Sequence, residues 1–439
     1  MGRPRKRAAP FFGLGEIASA PPPAIQPGMT DSRPHRSTIG FVFAIVLIDM
    51  LGFGIIMPVL PGLIMDLGGV NIDEAAVFAG WLGAGYAATQ FLFAPVIGNL
   101  SDRYGRRPVM LASVLAMAID YVLMGMAPVL WWLVIGRLAA GMTGASYSAA
   151  YACIADITPP EKRAQSFGLM GMAFGFGFIA GPAIGGLLSE FGERAPFYAA
   201  AALAFANFLF GLFFLRETLA PENRRPFDWR RANAFAALKA LRGQNATVLW
   251  FIAALAVWQL AHIVYPAVWA YFAIAAYDFT QREVGLALGM VGLTSALVQG
   301  FGLRFIAPRM GEKWSVATGV IGVAVSSVLY AVATSTPMVY LAIAVGALQG
   351  LIQPSISALN SRAVDARSQG ELQGAVQSIG AIAAIIGPPL YAGVFAKFSG
   401  SQAVFDFPSM PLFVATFFAL VTLVLFLAGA RRLPLTSAS

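Results

Sequence analysis

The sequence predicts an all-α integral membrane protein, with twelve transmembrane helices arranged as two pseudo-symmetric six-helix bundles. Three observations carry that expectation. Of the 439 residues, 58% are hydrophobic and only 11% charged, and the mean hydropathy is +0.72. A soluble chain carries about 25% charged residues, so water cannot wet most of this surface. Twelve runs are long enough for the helix of about 20 apolar residues that crosses a ~30 Å hydrocarbon core. Finally, short patterns recur at one offset of 206 residues: Arg103-x-Gly105 as Arg309-x-Gly311, Gly168 as Gly374, and Gly181-Pro182 as Gly387-Pro388. Several matches at a single offset point to duplication of a six-helix unit.

The apolar runs cover roughly 38–62, 77–98, 108–127, 130–153, 165–188, 196–215, 247–272, 284–305, 314–333, 338–359, 372–395 and 409–430. Residues 1–37, rich in Pro, Arg and Ala, have no room for a packed core and read as a disordered, basic cytoplasmic tail. The apolar stretch that follows is too long for a secretory signal and lacks a small-residue cleavage site. Met29 offers a second, downstream start. Pro58 and Pro61 interrupt the first run and Pro266 the seventh, which membrane helices tolerate where neighbours re-satisfy the freed backbone. The first six spans make an N-terminal bundle over 38–215. Segment 216–246, with Phe235, Leu238 and Leu241 at helical spacing, is expected to be a cytoplasmic central loop lying along the membrane surface. The last six spans make a C-terminal bundle over 247–430, and 431–439 is a short cytoplasmic tail. Parallel repeats of this kind are a transporter architecture, with the substrate site between the halves near the midplane.

The net charge is +8 and the isoelectric point near 9.7. Placement explains the excess without nucleic acid. Of the 29 Lys and Arg, 25 fall in the two tails and one set of alternate loops, three (Arg194, Arg282 and Lys397) in the other set, and Arg137 inside a span. The positive-inside rule then places both termini in the cytoplasm, in a multi-pass protein of the cell inner (plasma) membrane. The lone Cys153 cannot form an internal bridge and lies in an apolar run, which reads as a buried, inert thiol.

The loop after the second span reads Gly98-Asn-Leu-Ser-Asp102-Arg103-Tyr-Gly105-Arg106-Arg107-Pro108. Gly98 and Gly105 permit close approach and a tight turn. Asp102 suits a positive helix N-terminus in the other half, expected to be that of span eleven, and Arg106 can pair with Asp156 at the end of span four. This loop resembles the signature of the major facilitator superfamily, and the twelve spans and the repeat extend the resemblance over nearly the whole chain. The second copy has Pro308 in place of the aspartate, so the latch is expected to be asymmetric.

Span five contains Gly177, Gly181-Pro182 and Gly185-Gly186. Gly177, Gly181 and Gly185 fall on one face where another helix can pack backbone to backbone, and Pro182 permits a bend. The pattern resembles the motif that distinguishes antiporters from symporters in the superfamily. Asp49, with Gly52, Gly54, Pro58 and Pro61, then Gln90, Asp120 and Gly136-Arg137-Leu138, resembles the twelve-span drug/proton antiporter branch, closest to the tetracycline/proton antiporters. Polar and ionisable groups inside membrane helices are functional hypotheses by default. Asp120 and Arg137 lie equally far from the short loop at Ala127-Pro128, so they share a depth and can pair, or the pair serves structure alone. Asp49 has no neighbouring cation in sequence, which suits it to carrying protons, with Asp120 and Arg137 shaping its field.

The second half offers Gln259, His262, Gln299, Gln349, Gln353, Asn360 and Gln377 with Trp258, Tyr265, Trp269 and Tyr271. Amides and aromatics suit a planar, amphipathic organic molecule, and Gln90, Gln259, His262, Trp269 and Gln353 are the candidate contacts. The resemblance implies proton-driven efflux with no cofactor or metal and a functional monomer, with lipid, protons and a small molecule as partners. An exporter of a sugar, peptide or organic anion stays open as an alternative. An intramembrane enzyme built on Ser146 and His262 is remote, since these lie in different halves, and a channel lacks a pore ring. Two departures from the tetracycline antiporters fall in the second half. Val323 stands where some carry an acid in span nine, and the histidine near the start of span eight is replaced around Asp278.

Overall fold

The computed structural model describes residues 32–144, 146–159, 163–229, 233–235, 244–362, 369–400 and 403–432. Among these residues there are helices and turns and no strands. Among the described residues eleven helices are long and apolar enough to cross a membrane, and Leu130–Thr143 is a shorter apolar helix. Span one is Ser32–Ile56, span two Ile72–Tyr104 and span three Arg106–Gly125. Span four is Leu130–Thr143 with Ser146–Ile157, span five Arg163–Leu188 and span six Ala195–Phe214. Span seven is Ala246–His262 with Val264–Tyr277, span eight Gln281–Leu297 with a π-helical extension Val298–Ile306, and span nine Ala307–Val332. Span ten is Thr336–Gly346, a 3-10 stretch Ala347–Leu351 and Ile352–Arg362; span eleven is Gln369–Lys397 and span twelve Met410–Ala430.

The interruptions follow from the backbone. Span one ends at Ile56, ahead of Pro58, and a separate helix Leu60–Gly68 carries Pro61 in its first turn, where the missing N–H costs nothing. Span seven breaks at Ile263, one turn before Pro266, because that proline cannot donate to the carbonyl of His262. Span four breaks at Gly144, and the 3-10 stretch of span ten falls at the equivalent place in the repeat. The duplication also shows in the turns: Gly105 (φ 106°) and Gly311 (φ 75°) occupy matching positions after spans two and eight, both in a region that favours glycine. Helix starts Asn71 and Thr280, ahead of spans two and eight, each pair with a glutamate three residues on. Glu74 Oε2 accepts from the Asn71 N–H at 3.3 Å and Glu283 Oε2 from the Thr280 N–H at 2.8 Å.

The first helix begins at Ser32, ahead of its expected start at 38, while residues 1–31, Met29 included, lie outside the described residues. Of the central-loop residues at helical spacing, Leu238 and Leu241 also lie outside them. The described part of that loop returns to the end of span two. Asn99 donates to the Asp228 carbonyl at 2.6 Å, the Arg225 N–H donates to the Asp102 carbonyl at 3.1 Å, and Phe235 meets Phe91 edge-on at 5.2 Å.

Within the first half, span one packs on spans five and six, span two on span four, and span three on span six; within the second, span seven packs on spans eleven and twelve. The halves meet where span five runs along span eight and span two along span eleven. Side-chain and backbone contacts across this seam lie toward the face opposite the two chain ends. They include Gly80 with Pro388 and Ala392, Ile179 with Gly292, Gly186 with Gly285, and an Arg282–Glu190 ion pair at 2.7 Å.

Candidate functional site

Small residues bring Asp49 inside. A Cβ on Gly52 would stand 3.2 Å from the Tyr121 ring of span three, and one on Gly54 2.8 Å from Pro182 Cδ of span five. With both neighbours so close, Asp49 is only 2% exposed. Its charge partner is neutral: Asn207 of span six donates to Asp49 Oδ1 at 2.9 Å and to the Ile45 carbonyl at 3.0 Å. No ion pair involves Asp49 among the described residues. Sequence reasoning missed Asn207, although it falls on the same buried stripe of span six as Ala200, Ala204 and Gly211.

Asp120 and Arg137 share a depth but do not form the expected ion pair. Asp120 Oδ1 lies against Gly136, where a Cβ would stand 2.5 Å away, and accepts no hydrogen bond among the described residues. The Arg137 guanidinium turns to the Tyr86 ring instead, 6.0 Å from its centroid, at the outer limit of a cation–π contact. Depth was readable from the loop, but rotation about the helix axis was not. Arg137 interacts electrostatically with Asp120, Tyr86 and Tyr121 of its own half and with Tyr271 of the other. Tyr271 is 4% exposed and its hydroxyl has no hydrogen-bond partner among the described residues. Gln90 ties the broken span four to span two, donating to Tyr86 Oη and the Gly144 carbonyl, both at 3.3 Å.

In the loop after span two, Arg106 is the hub. Its guanidinium donates to Asp102 Oδ1 at 2.6 Å, to Ser101 Oγ at 2.7 Å and to Asp156 Oδ2 at 3.0 Å. Arg106 thus makes the pairing with Asp156 read from the sequence. The start of span eleven, expected to meet Asp102, adjoins residues 363–368, which lie outside the described residues. Asp102 accepts from Arg106, and Gly98 has nothing within 4 Å of its Cβ position. The anion at a helix start here is Glu217, which sequence reasoning missed. Its carboxylate accepts from the backbone N–H of Arg106 at 2.9 Å and of Arg107 at 3.3 Å, at the positive end of span three. Arg103 stacks on Tyr104, and Arg107 donates to the Leu212 carbonyl at 2.6 Å. Cys153 is buried and accepts from the Thr218 hydroxyl.

The glycines of span five use two faces. Gly177, Gly181 and Gly185 abut Met50, Gly54 and Ile55 of span one, and a Cβ on Gly181 would stand 2.8 Å from Gly54 Cα. Gly186 faces the other half, where a Cβ would stand 2.8 Å from the Gln281 carbonyl and 3.0 Å from Gly285 Cα. Span five is therefore pressed between its own half and the partner half.

The second-half candidates divide. His262, at the break of span seven, and Gln353 are exposed, and His262 lies between the rings of Trp258 and Tyr265 at 5.8 and 6.0 Å. Gln259 lies against Gly380 of span eleven. Trp269 is packed in the core, edge-on to Tyr330. Val323 is buried as well, and Asp278 is the left-handed residue (φ 54°) that ends span seven.

Two repeated six-helix halves, carboxylates buried in one and an exposed histidine and glutamine in the other, define a membrane transporter. The chain belongs to the Major Facilitator Superfamily, whose family model matches residues 42–271 and 260–438. It is 41% identical to the class C tetracycline resistance protein of Escherichia coli, over 81% of this chain and 89% of that protein. It is 38% identical to the class G protein of Vibrio anguillarum, over 83% and 92% respectively. Among solved structures, the human organic anion transporter MFSD10 (TETRAN) aligns with a TM-score of 0.63 and 26% identity, over 88% of this chain and 99% of that one. A bacterial homologue of the human lysosomal transporter Spinster shares the fold, with a TM-score of 0.71 at 16% identity over 92% and 98%. The protein is a transporter and not an enzyme.

Proposed function

We propose that the protein exports amphipathic organic compounds against their gradient in exchange for protons, by alternating access, with tetracycline-like drugs as the leading substrates. One observation carries the coupling: Asp49 is 2% exposed and hydrogen-bonded to a neutral amide. A carboxyl group without a fixed counter-charge can exist in two charge states, as an antiporter requires. Asp120 and Arg137 are assigned a shaping role because they interact with Tyr86 and Tyr121, the same tyrosines that interact with Asp49. The relatives named for tetracycline resistance support the substrate.

The contacts at the face opposite the chain ends suit an inward-facing state, with both termini cytoplasmic and the site open to the cell interior. In the outward-facing state the loop after span two would meet span eleven, and Asp102 would exchange part of its contact with Arg106 for that helix start. Drug would enter beside the exposed His262 and Gln353. The chain is proposed to act as a monomer in the inner membrane. A second reading, export of an organic anion, is favoured by Val323 in the position of an acid and by the name of the human relative. Expression in a drug-sensitive bacterial host separates the two. Tetracycline tolerance that vanishes with a protonophore supports the first; tolerance to organic anions alone rejects tetracycline as the substrate.

A further inference from the structure

Asn207 is placed as a side chain that reads the charge of its neighbour. It is 1% exposed, in a helix otherwise composed of apolar and small residues apart from Tyr198. Both of its N–H bonds are used, one by Asp49 Oδ1 at 2.9 Å and one by the Ile45 carbonyl at 3.0 Å. Its own oxygen is buried and accepts no hydrogen bond among the described residues. Such an unmet acceptor is costly, about 1–3 kcal/mol. An amide presents a donor and an acceptor of nearly the same shape, so turning it by half a turn exchanges the two without repacking.

The other groups around Asp49 do not offer this. Tyr121 of span three and Tyr86 of span two interact with it electrostatically. Span five presents glycine backbone at Gly177 and Gly181. In span six Tyr198 is engaged with the Gly125 carbonyl, and in span four Cys153 accepts from Thr218 and Asp156 pairs with Arg106. Asp120 and Arg137 interact with the two tyrosines rather than touching Asp49.

We propose that Asn207 is a positioning residue for proton coupling, holding the Asp49 carboxylate through an amide N–H and accepting from the Asp49 O–H through its free oxygen once the proton is bound. The inference rests on the proton-carrier reading of Asp49. Loading adds one proton to an Asp49 oxygen and the amide turns: its N–H bonds to Asp49 Oδ1 and to the Ile45 carbonyl are both given up, and the Asp49 O–H donates to the Asn207 oxygen in their place. No covalent bond changes except the O–H formed.

The test needs no drug. The purified full chain in lipid vesicles is titrated while the infrared carbonyl band of protonated carboxyls is followed, and the Asp49 band is identified by its loss in Asp49→Asn. Asn207→Leu removes the donor that favours the charged form, so the midpoint of that band should move to higher pH by about one unit or more. The band itself should move toward the frequency of a carboxyl with no hydrogen bond, and Asn207→Ser should restore part of both changes. If Asp49→Asn removes no titrating band, the proton-carrier reading falls. If the band is Asp49's but its midpoint and frequency are the same in Asn207→Leu, or in Asn207→Ser should Leu fail to insert, the positioning role is overturned. Slower transport with an unmoved midpoint would likewise make Asn207 a packing residue only.

Discussion

The two halves share a skeleton and differ in chemistry. Gly105 and Gly311 turn the same corner, spans four and ten break at matching places, and spans two and eight start with the same kind of cap. Yet Asp49, Asp120 and Arg137 lie inside spans of the first half, while the second half presents His262 and amides. The halves share backbone punctuation and do not share these side-chain charges. A two-part machine needs both halves to move alike, whereas on the proposed coupling only one holds the proton.

The largest expected effect tests that division directly. Asp49→Asn should abolish uphill drug accumulation in inverted vesicles, while drug binding persists. The matched second-half changes, Gln259→Ala and Gln353→Ala, should leave the proton dependence intact. Retained uphill transport in Asp49→Asn, with unchanged pH dependence, would break the comparison.

Next come the two ion-pair networks near the chain-end face. Arg106 has a side chain 10% exposed and binds two carboxylates, while the second-half pair Arg362–Glu312 is 68% and 32% exposed. Arg106→Ala should cost roughly 3 kcal/mol, as expected for charge-assisted bonds to a nearly buried group, and lower transport. Arg362→Ala should cost about 0–1 kcal/mol. Thermal unfolding of the purified variants gives both numbers, and equal shifts would refute the asymmetry.

A smaller difference separates packed from open glycines. A Cβ on Gly181 would run into backbone, Gly54 Cα and the Leu51 carbonyl, and one on Gly387 into Cγ2 of Ile263, the branch fixed directly to that residue's Cβ. Gly181→Ala and Gly387→Ala should therefore each destabilise by about 1–3 kcal/mol, because neither backbone nor a stiff β-branched side chain yields without a larger shift. Gly171→Ala, in open space on the same span five, should be neutral within about 0.5 kcal/mol. Melting temperatures compare the three, and a Gly171→Ala as costly as the other two would show that close packing within each half does not set stability.

The smallest effect concerns specificity. His262→Gln should alter the relative KM values of several drugs by about two- to tenfold, equivalent to about 1 kcal/mol, with no change in the pH profile. A shifted profile would place proton chemistry in both halves.

The fold was readable because hydropathy, charge placement and the repeat are all periodic along the chain. The face of Gly177, Gly181 and Gly185 was readable because all three lie on one helix. Contacts that depend on rotation were not. Asp120 and Arg137 had the right depth, yet Gly136 brings backbone against the carboxyl and the guanidinium points elsewhere. Asn207 and Asp49 lie 158 positions apart, so only the fold joins them. The Asp102 expectation concerned the start of span eleven, which adjoins residues 363–368, outside the described residues. Glu217, beyond the end of span six, gave no local sign that it would cap span three.

The caps at Asn71 and Thr280 have a consequence for opening the seam. A helix start normally leaves its first N–H groups seeking partners, and spans two and eight both begin where the halves are pressed together. Glu74 and Glu283 accept the cap residue's own N–H, and the cap side chains of Asn71 and Thr280 take the N–H three residues on, so two of the four open donors at each start are met within the same chain segment. Parting the halves there leaves those two groups paired whether another helix or water lies beside them. Each opening of this rim would therefore expose fewer unpaired peptide groups than an uncapped pair of helix starts, and the helices would fray less.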